Sequence, residues 1–105
     1  MRESRAWRMR LSTESPNITH LKSASGGEFV IGREAVMTYR HAGKGHIIVN
    51  HTRVAKESEG QGLAGHLYRA MVEFARKEKL LVTSTCKYVT HKFERHPEDQ
   101  DVMRF

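Results

Sequence analysis

The feature that most constrains the fold is a β-branched run that leads through glycines into a helix pattern. Residues 47–49 read as a buried strand, an amphipathic helix pattern follows from about residue 61, and Gly60, Gly62 and Gly65 cluster at the join. A strand that turns through glycines into a helix presents free backbone N–H groups at the positive end of the helix dipole. Such a turn binds anions, phosphate groups above all. The sequence therefore predicts a phosphate-bearing ligand at this turn.

The length and composition indicate one small globular domain. The chain has 105 residues with 38% hydrophobic side chains, enough for a single core. It contains no apolar run of the roughly 18–20 residues that cross a bilayer, and residues 1–10 lack the apolar segment of a secretory signal. A single cysteine, Cys86, excludes an internal disulfide and is typical of a reducing compartment, so we expect a cytoplasmic protein with no membrane partner.

The net charge of +6 favours a polyanionic partner, either a nucleic acid or a phosphate-rich cofactor. Four arginines lie within the first ten residues, so much of the excess charge belongs to a tail. We expect residues 1–16 to form a basic N-terminal tail and residues 17–105 to form the folded domain. Nucleic-acid binding is the less favoured primary role.

The hydrophobic pattern predicts an α+β fold in which an antiparallel β-meander precedes a β-α-β-α unit. The fourth strand is the most apolar, which predicts that it is central and covered on both faces. The helix that follows it implies that the fifth strand runs parallel to the fourth. The predicted strands are 17–22, 28–31, 35–39, 46–54 and 80–85, and the predicted helices are 61–77 and 87–95.

The loop over residues 57–62 matches neither of two common phosphate-binding motifs. It lacks the Gly-Lys-Ser/Thr sequence of a P-loop, which argues against hydrolysis of a nucleoside triphosphate. It also lacks the three-glycine dinucleotide fingerprint with its following acidic residue. The ligand is therefore expected to belong to another phosphate-bearing class.

The loop resembles the pyrophosphate loop of the GNAT superfamily of acetyl-CoA-dependent N-acetyltransferases, which reads Gln/Arg-x-x-Gly-x-Gly/Ala. The chain is similar above all to the short single-domain subfamily, through His-Thr-Arg-Val at 51–54, Gly-Gln-Gly-Leu-Ala at 60–64 and Cys86. Glu57 stands where the motif has Gln or Arg. Because a carboxylate repels pyrophosphate, we expect Glu57 to point away and backbone amides to bind.

The resemblance implies a minimal GNAT fold that binds acetyl-CoA where the fourth and fifth strands splay apart. Backbone groups near the end of the fourth strand would contact the pantetheine arm, and the loop amides would hold the pyrophosphate. The alternative is that the glycines only permit a tight turn. The implied cofactor-binding residues are Thr52, Val54, Gly60, Gln61, Gly62, Leu63, Ala64 and Gly65.

Acetyl transfer to an amine needs a group that removes a proton from the amine. His46 falls near the position where the superfamily often carries a strand-borne glutamate base, and imidazole titrates near neutral pH. His51 is a rival candidate. The alternatives are an exposed hairpin histidine at His46 and a hydrogen-bonded histidine that shapes the strand end at His51.

Cys86 closes the fifth strand and precedes a helix, where the helix dipole and Lys87 favour a thiolate. It would accept the acetyl group in a two-step route or only line the thioester pocket, and an inert buried cysteine is the further alternative. Tyr88 would protonate the departing CoA thiolate, as a tyrosine on this helix does in many relatives, or would only pack. His91 and His96 do not have the spacing of helical metal ligands, so no metal site is expected.

The resulting hypothesis is a GNAT-type N-acetyltransferase that transfers acetyl from acetyl-CoA to an amine by direct attack. A chain this short leaves little room for an acceptor lid, so we expect an open groove that admits a peptide or protein lysine. A non-catalytic acyl-CoA-binding or regulatory module is the first alternative. A basic RNA-associated protein is the second.

Overall fold

The computed structural model describes residues 17–104 as a five-stranded sheet with two α-helices. The predicted α+β class is confirmed, and the tail predicted for residues 1–16 lies outside the described residues. Within 17–104, no helix is both long and apolar enough to cross a membrane. The elements are β1 (Thr19–Lys22), β2 (Gly26–Ile31), β3 (Ala35–His41), β4 (His46–Val54), α1 (Leu63–Glu78), β5 (Leu81–Ser84) and α2 (Lys87–Arg95), with 3-10 turns at Lys56–Ser58 and Pro97–Val102.

The strands lie in the sheet in chain order, β1-β2-β3-β4-β5. The first four strands pair antiparallel through short turns, as the sequence predicted. β4 and β5 pair parallel, from His46 opposite Leu81 to Val49 opposite Ser84. The parallel pairing is possible because α1 carries the chain back across the sheet between the two strands.

The core lies on one face of the sheet. Ile47 and Val49 of β4 are fully buried there, whereas Ile48 between them is half-buried and His51 is exposed. The prediction that β4 is covered on both faces is therefore wrong. The physical reason for the one-sided burial is that both helices contribute their buried side chains to this one core. These side chains are Leu63, Leu67, Tyr68, Met71, Val72 and Ala75 of α1 and Val89 and Phe93 of α2.

A β-bulge at Asn50 changes which residues of β4 face the core. Val49 lies opposite Tyr39, but His51 lies opposite Thr38, so Asn50 has no partner on β3. The extra residue shifts the two-residue alternation of the strand by one. Thr52 consequently points to the same face as Val49, and so does Val54, the last residue of β4.

A buried carboxylate joins α1 to the C-terminal 3-10 turn. Asp99 accepts a hydrogen bond from the Tyr68 hydroxyl at 2.8 Å and two from the Arg69 guanidinium at 3.1 and 3.0 Å. Burial alone would raise the pKa of Asp99, but the bonds from Arg69 and Tyr68 outweigh it and hold that pKa below its usual value. The turn is thereby fixed against α1, with Val102 in the core and Met103 beside Val82 of β5.

We predict that D99N destabilises the fold by about 1–3 kcal/mol, because the buried carboxylate loses its charge and the hydrogen bonds from the half-exposed Arg69 guanidinium weaken. Urea unfolding followed by circular dichroism measures the loss. D101N is the matched control: Asp101 forms an exposed ion pair with Arg76, so its unfolding midpoint should stay near that of the unmodified chain. Equal midpoints for D99N and D101N would contradict the structural role of Asp99.

His20 closes the opposite end of the core as part of an aromatic cluster. Its ring stacks on Phe29 at 4.2 Å, meets the edge of Phe74 at 4.5 Å and shares a 2.7 Å hydrogen bond with the Tyr39 hydroxyl. Burial, and secondarily the charge of Lys22, lower the pKa of His20 below its ordinary 6.5.

The lowered pKa of His20 predicts a pH-dependent stability. Below pH 6.5 the unfolded chain binds a proton that the folded cluster resists, so the free energy of unfolding falls as the pH drops from 7 to 5. In H20Q, whose amide does not titrate, that fall should be smaller. Urea unfolding at pH 5, 6 and 7 tests this, and identical pH slopes for the two proteins would refute it.

Candidate functional site

The glycine loop, residues 55–62 between β4 and α1, adopts a conformation that requires glycine at two positions. Gly60 and Gly62 have φ values of 86° and 74°, in the left-handed region that side chains disfavour. Gly62 is the N-cap of α1, which begins at Leu63. These two glycines turn the chain sharply from the end of β4 into the helix.

The N-terminus of α1 has backbone donors that the helix itself does not use. The first bond within the helix runs from the His66 N–H to the Gly62 carbonyl at 3.2 Å, so the amides of Leu63, Ala64 and Gly65 have no intrahelical acceptor. Within residues 17–104 no side chain caps this end of the helix, and its first turn carries no acidic residue. The end is therefore a positive, uncapped turn of the kind that binds phosphate groups.

A cleft of about 260 Å³ opens in front of these amides. Its walls come from the end of β4, the glycine loop, the first turn of α1 and one residue of α2. The lining residues are Val54, Ser58, Glu59, Gly60, Gly62, Leu63, Ala64, Gly65 and Tyr88. One cavity thus combines the predicted anion-binding loop with the carboxyl end of β4.

Gly65 and Tyr88 face each other across the cleft. A Cβ atom on Gly65 would lie 3.8 Å from the Tyr88 hydroxyl, an ordinary contact, and Gly65 has regular helical geometry. The backbone therefore does not demand glycine here, although its absent side chain keeps the cleft wide. Burial raises the pKa of Tyr88, and the electrostatic influence of the neighbouring Cys86 raises it further, so the phenol stays protonated at neutral pH.

Cys86 is half-buried at the junction of β5 and α2, where it is the N-cap of α2. Its Sγ donates to the Thr52 hydroxyl at 3.5 Å, which places the sulfur against the end of β4. Its backbone is held by Ser84, whose hydroxyl accepts from the Cys86 N–H at 3.2 Å and donates to the Cys86 carbonyl at 2.8 Å. Thr90 donates to the same hydroxyl at 2.9 Å, so Cys86 has a fixed position.

The two parallel strands separate just before this thiol. Their last backbone hydrogen bond runs from the Thr85 N–H to the Val49 carbonyl at 3.0 Å. Beyond it, β4 continues to Val54 while the chain after β5 turns into α2. The side-chain contact between Cys86 and Thr52 spans the gap.

Most of the predicted cofactor residues lie together. Val54, Gly60, Gly62, Leu63, Ala64 and Gly65 line the cleft, and Thr52 contacts Cys86. Gln61 is exposed and is not among the lining residues. Glu57 is also exposed and outside the lining, whereas Glu59 borders the cleft. The binding role of each of these residues stays a prediction.

The structure does not bring His46 to Cys86. Thr52 lies six positions after His46 on β4, which is about 20 Å along a strand. His46 instead shares a 2.7 Å hydrogen bond with the Thr83 hydroxyl, which donates to the Arg104 carbonyl. His51 lies beside Thr52 but on the open face of the sheet, where it is exposed.

Among the residues that the structure describes, one group of possible metal ligands lies away from the cleft, at the end of α2. His96, Glu98 and Asp99 offer ligand atoms within 4.8 Å of one another. The Asp99 carboxylate already accepts the bonds from Tyr68 and Arg69, and His96 pairs with Glu98 at 3.0 Å. These side chains are therefore engaged in holding the C-terminal turn.

Two serines at the site were not singled out from the sequence. Ser84 contributes through its position two residues before Cys86, a spacing at which a hydroxyl bonds to nearby backbone groups. Ser58 lines the cleft and is only 5% exposed, although it lies in a polar, charged stretch. The serine–backbone spacing gives a weak signal for Ser84, and no local pattern reveals the burial of Ser58.

The site therefore consists of an uncapped glycine turn that follows β4, at the point where β4 separates from the parallel β5. Residues 28–102 match the GCN5-related N-acetyl-transferase family, and the chain belongs to this family. Acyl-CoA binding is general in the family. The match includes the whole cleft together with Cys86 and Tyr88.

Individual relatives agree with this assignment. Protein NATD1 from Mus musculus and Homo sapiens is 33% identical over 70 residues. These alignments cover 67% of this chain but only 64% and 62% of the two relatives, so the chain matches less than two thirds of their length. The NMR structure of a GCN5-like protein from Staphylococcus aureus superposes with a TM-score of 0.66 at 28% identity, over 86% of this chain and 89% of that one.

Substitutions at Gly62 and Gly65 should distinguish a glycine that the backbone conformation requires from one that only keeps the cleft open. G62A should destabilise the fold by about 1–2 kcal/mol, because alanine is strained at the positive φ of Gly62. G65A should leave the melting temperature unchanged or higher, because alanine is the better helix former and meets no clash. Differential scanning calorimetry tests both, and a large destabilisation by G65A would show that Gly65 serves the fold.

Proposed function

We propose that this protein is an acetyl-CoA-dependent N-acetyltransferase that transfers acetyl to an amine by direct attack. The observation that carries the proposal is the single cleft that joins an uncapped, glycine-lined helix N-terminus to Tyr88, beside the Thr52–Cys86 contact. The family assignment supports an acyl-CoA ligand in this cleft.

The binding step follows from the donors at the cleft. The pyrophosphate would accept hydrogen bonds from the amides of Leu63, Ala64 and Gly65, with the dipole of α1 behind them. The pantetheine arm would pass along Val54 towards Thr52, where β4 has no backbone partner on β5. Glu59 borders the cleft and would be repelled by phosphate, so its exposed side chain would turn to solvent.

The chemistry at the inner end of the cleft follows from two side chains, Tyr88 and Cys86. Acetyl-CoA supplies a thioester, an activated acetyl donor. Tyr88 would give its proton to the departing sulfur, since its raised pKa keeps the hydroxyl protonated until that charge develops. Cys86 would line the thioester pocket in the position fixed by Ser84 and Thr52.

His51 is the better placed of the two candidate bases. It is adjacent to Thr52 along β4, whereas His46 lies at the other end of the strand and is bonded to Thr83. His51 points to the open face of the sheet, which no described helix covers. An amine that approaches the strand gap from this face would pass His51, and an open face would admit a lysine side chain of a peptide or protein.

The exposed position of His51 also favours a second candidate function, a non-catalytic acyl-CoA-binding module. The Thr38 hydroxyl beside it bonds to Asn50 at 2.6 Å rather than to His51, and no described side chain orients the His51 imidazole by a hydrogen bond. A base that is not oriented contributes little to catalysis. Such a module would retain the cleft but would not release CoA from acetyl-CoA.

Calorimetry with acetyl-CoA, followed by an assay of thiol release with a panel of amines, tests the proposal. We expect saturable binding, and we expect G65A to weaken it because the added methyl group enters the cleft. Thiol release that requires both the protein and an amine would establish transfer. Binding without release would support the module, and no binding at millimolar acetyl-CoA would exclude both functions and leave RNA association.

Three variants test the catalytic roles of His51, His46 and Cys86. H51Q should lower the transfer rate by about 100-fold or more, whereas H46Q, the matched control, should leave it nearly unchanged. C86A should retain turnover if the amine attacks directly. Loss of turnover in C86A together with an acetylated Cys86 in intact-mass spectra of the unmodified chain would establish the two-step route instead.

A further inference from the structure

Ser58 is the most deeply buried polar residue of the glycine loop. It ends the 3-10 turn Lys56–Ser58, and 5% of its surface is exposed. Its backbone N–H donates to the Ala55 carbonyl at 2.9 Å, so its main chain is satisfied. Its hydroxyl has no hydrogen-bond partner among residues 17–104.

A buried hydroxyl without a partner is uncommon, because burial removes the water that would otherwise bond to it. Ser58 is nevertheless one of the residues that line the cleft. Its neighbour Glu59 is exposed to solvent and makes no hydrogen bond to the Ser58 hydroxyl. The natural acceptor for this hydroxyl is therefore a ligand in the cleft rather than a group of the described chain.

We propose that the Ser58 hydroxyl donates a hydrogen bond to a phosphate oxygen of the ligand, as the side-chain member of the anion site formed by the α1 amides. The inference rests on the proposed function for the identity of that ligand, the pyrophosphate of an acyl-CoA. It adds a contact made by a side chain to a site whose other donors are backbone amides.

The proposed role of Ser58 is consistent with the unusual residue at the start of the loop motif. Glu57 stands where the resembling motif has Gln or Arg, and its exposed carboxylate offers phosphate no donor. Ser58 follows it directly and lines the cleft, so it would supply a side-chain donor from the neighbouring position. A serine hydroxyl is neutral, so it does not offset the charge of Glu59 and its effect is a directional bond.

The S58A variant tests this role through binding and stability together. Because the hydroxyl has no partner in the described fold, S58A should melt at the same or a higher temperature than the unmodified protein. Its dissociation constant for CoA should rise about tenfold, the usual effect of losing one hydrogen bond to a charged group. S25A, at an exposed serine in the β1–β2 turn, is the control and should change neither quantity.

Inorganic pyrophosphate is the second probe, measured by calorimetry on the same three proteins. A matching loss of pyrophosphate affinity in S58A would place the effect at the phosphates even if CoA did not bind, so this arm is independent of the proposed function. CoA and pyrophosphate affinities of S58A within twofold of the unmodified protein would overturn the role of Ser58. A marked drop in melting temperature with unchanged affinity would also overturn it, because it would show that the hydroxyl serves the fold.

Discussion

The parallel pairing of β4 with β5, and its end at Val49 and Ser84, is the constraint on which the site depends. Because the strands are parallel, α1 must carry the chain back, and its N-terminus comes to lie beside the end of β4. Because the pairing stops, the last residues of β4 have no β5 partner and the chain after β5 can turn into α2. The cleft, the exposed helix amides and the position of Cys86 all follow from this geometry.

The bulge at Asn50 completes the geometry. Without the extra residue, strand alternation would send Thr52 and Val54 to the open face and His51 to the core. With it, Thr52 meets the sulfur of Cys86 and Val54 lines the cleft. The bulge also leaves His51 on the uncovered face, so cofactor-binding and acceptor-binding groups would lie on opposite faces of one strand.

Much of this arrangement was predictable from the sequence. The apolar run predicted the bounds of β4, and Pro97 predicted the end of α2, because those patterns reflect local backbone preferences. The glycine cluster predicted the turn into α1, although the helix begins at Leu63 rather than at residue 61. The bulge was not predictable, since only pairing with β3 reveals that Asn50 is unpaired. The same holds for Asp99, whose carboxylate is buried by contacts with Tyr68 and Arg69, about thirty residues away in the chain. The one-sided burial of β4 was not predictable, because an apolar run in the sequence does not determine whether one or both faces of the strand are covered.

The central claim is that the cleft between the glycine loop and Tyr88 binds acyl-CoA along the end of β4. The most direct measurement is an NMR titration of the isotopically labelled protein with CoA, which follows the amide of every residue. The account predicts that the largest shifts fall on the loop and first turn of α1, on Thr52 to Val54 and around Cys86. Shifts confined to the open face of the sheet, or the absence of shifts at millimolar CoA, would contradict it.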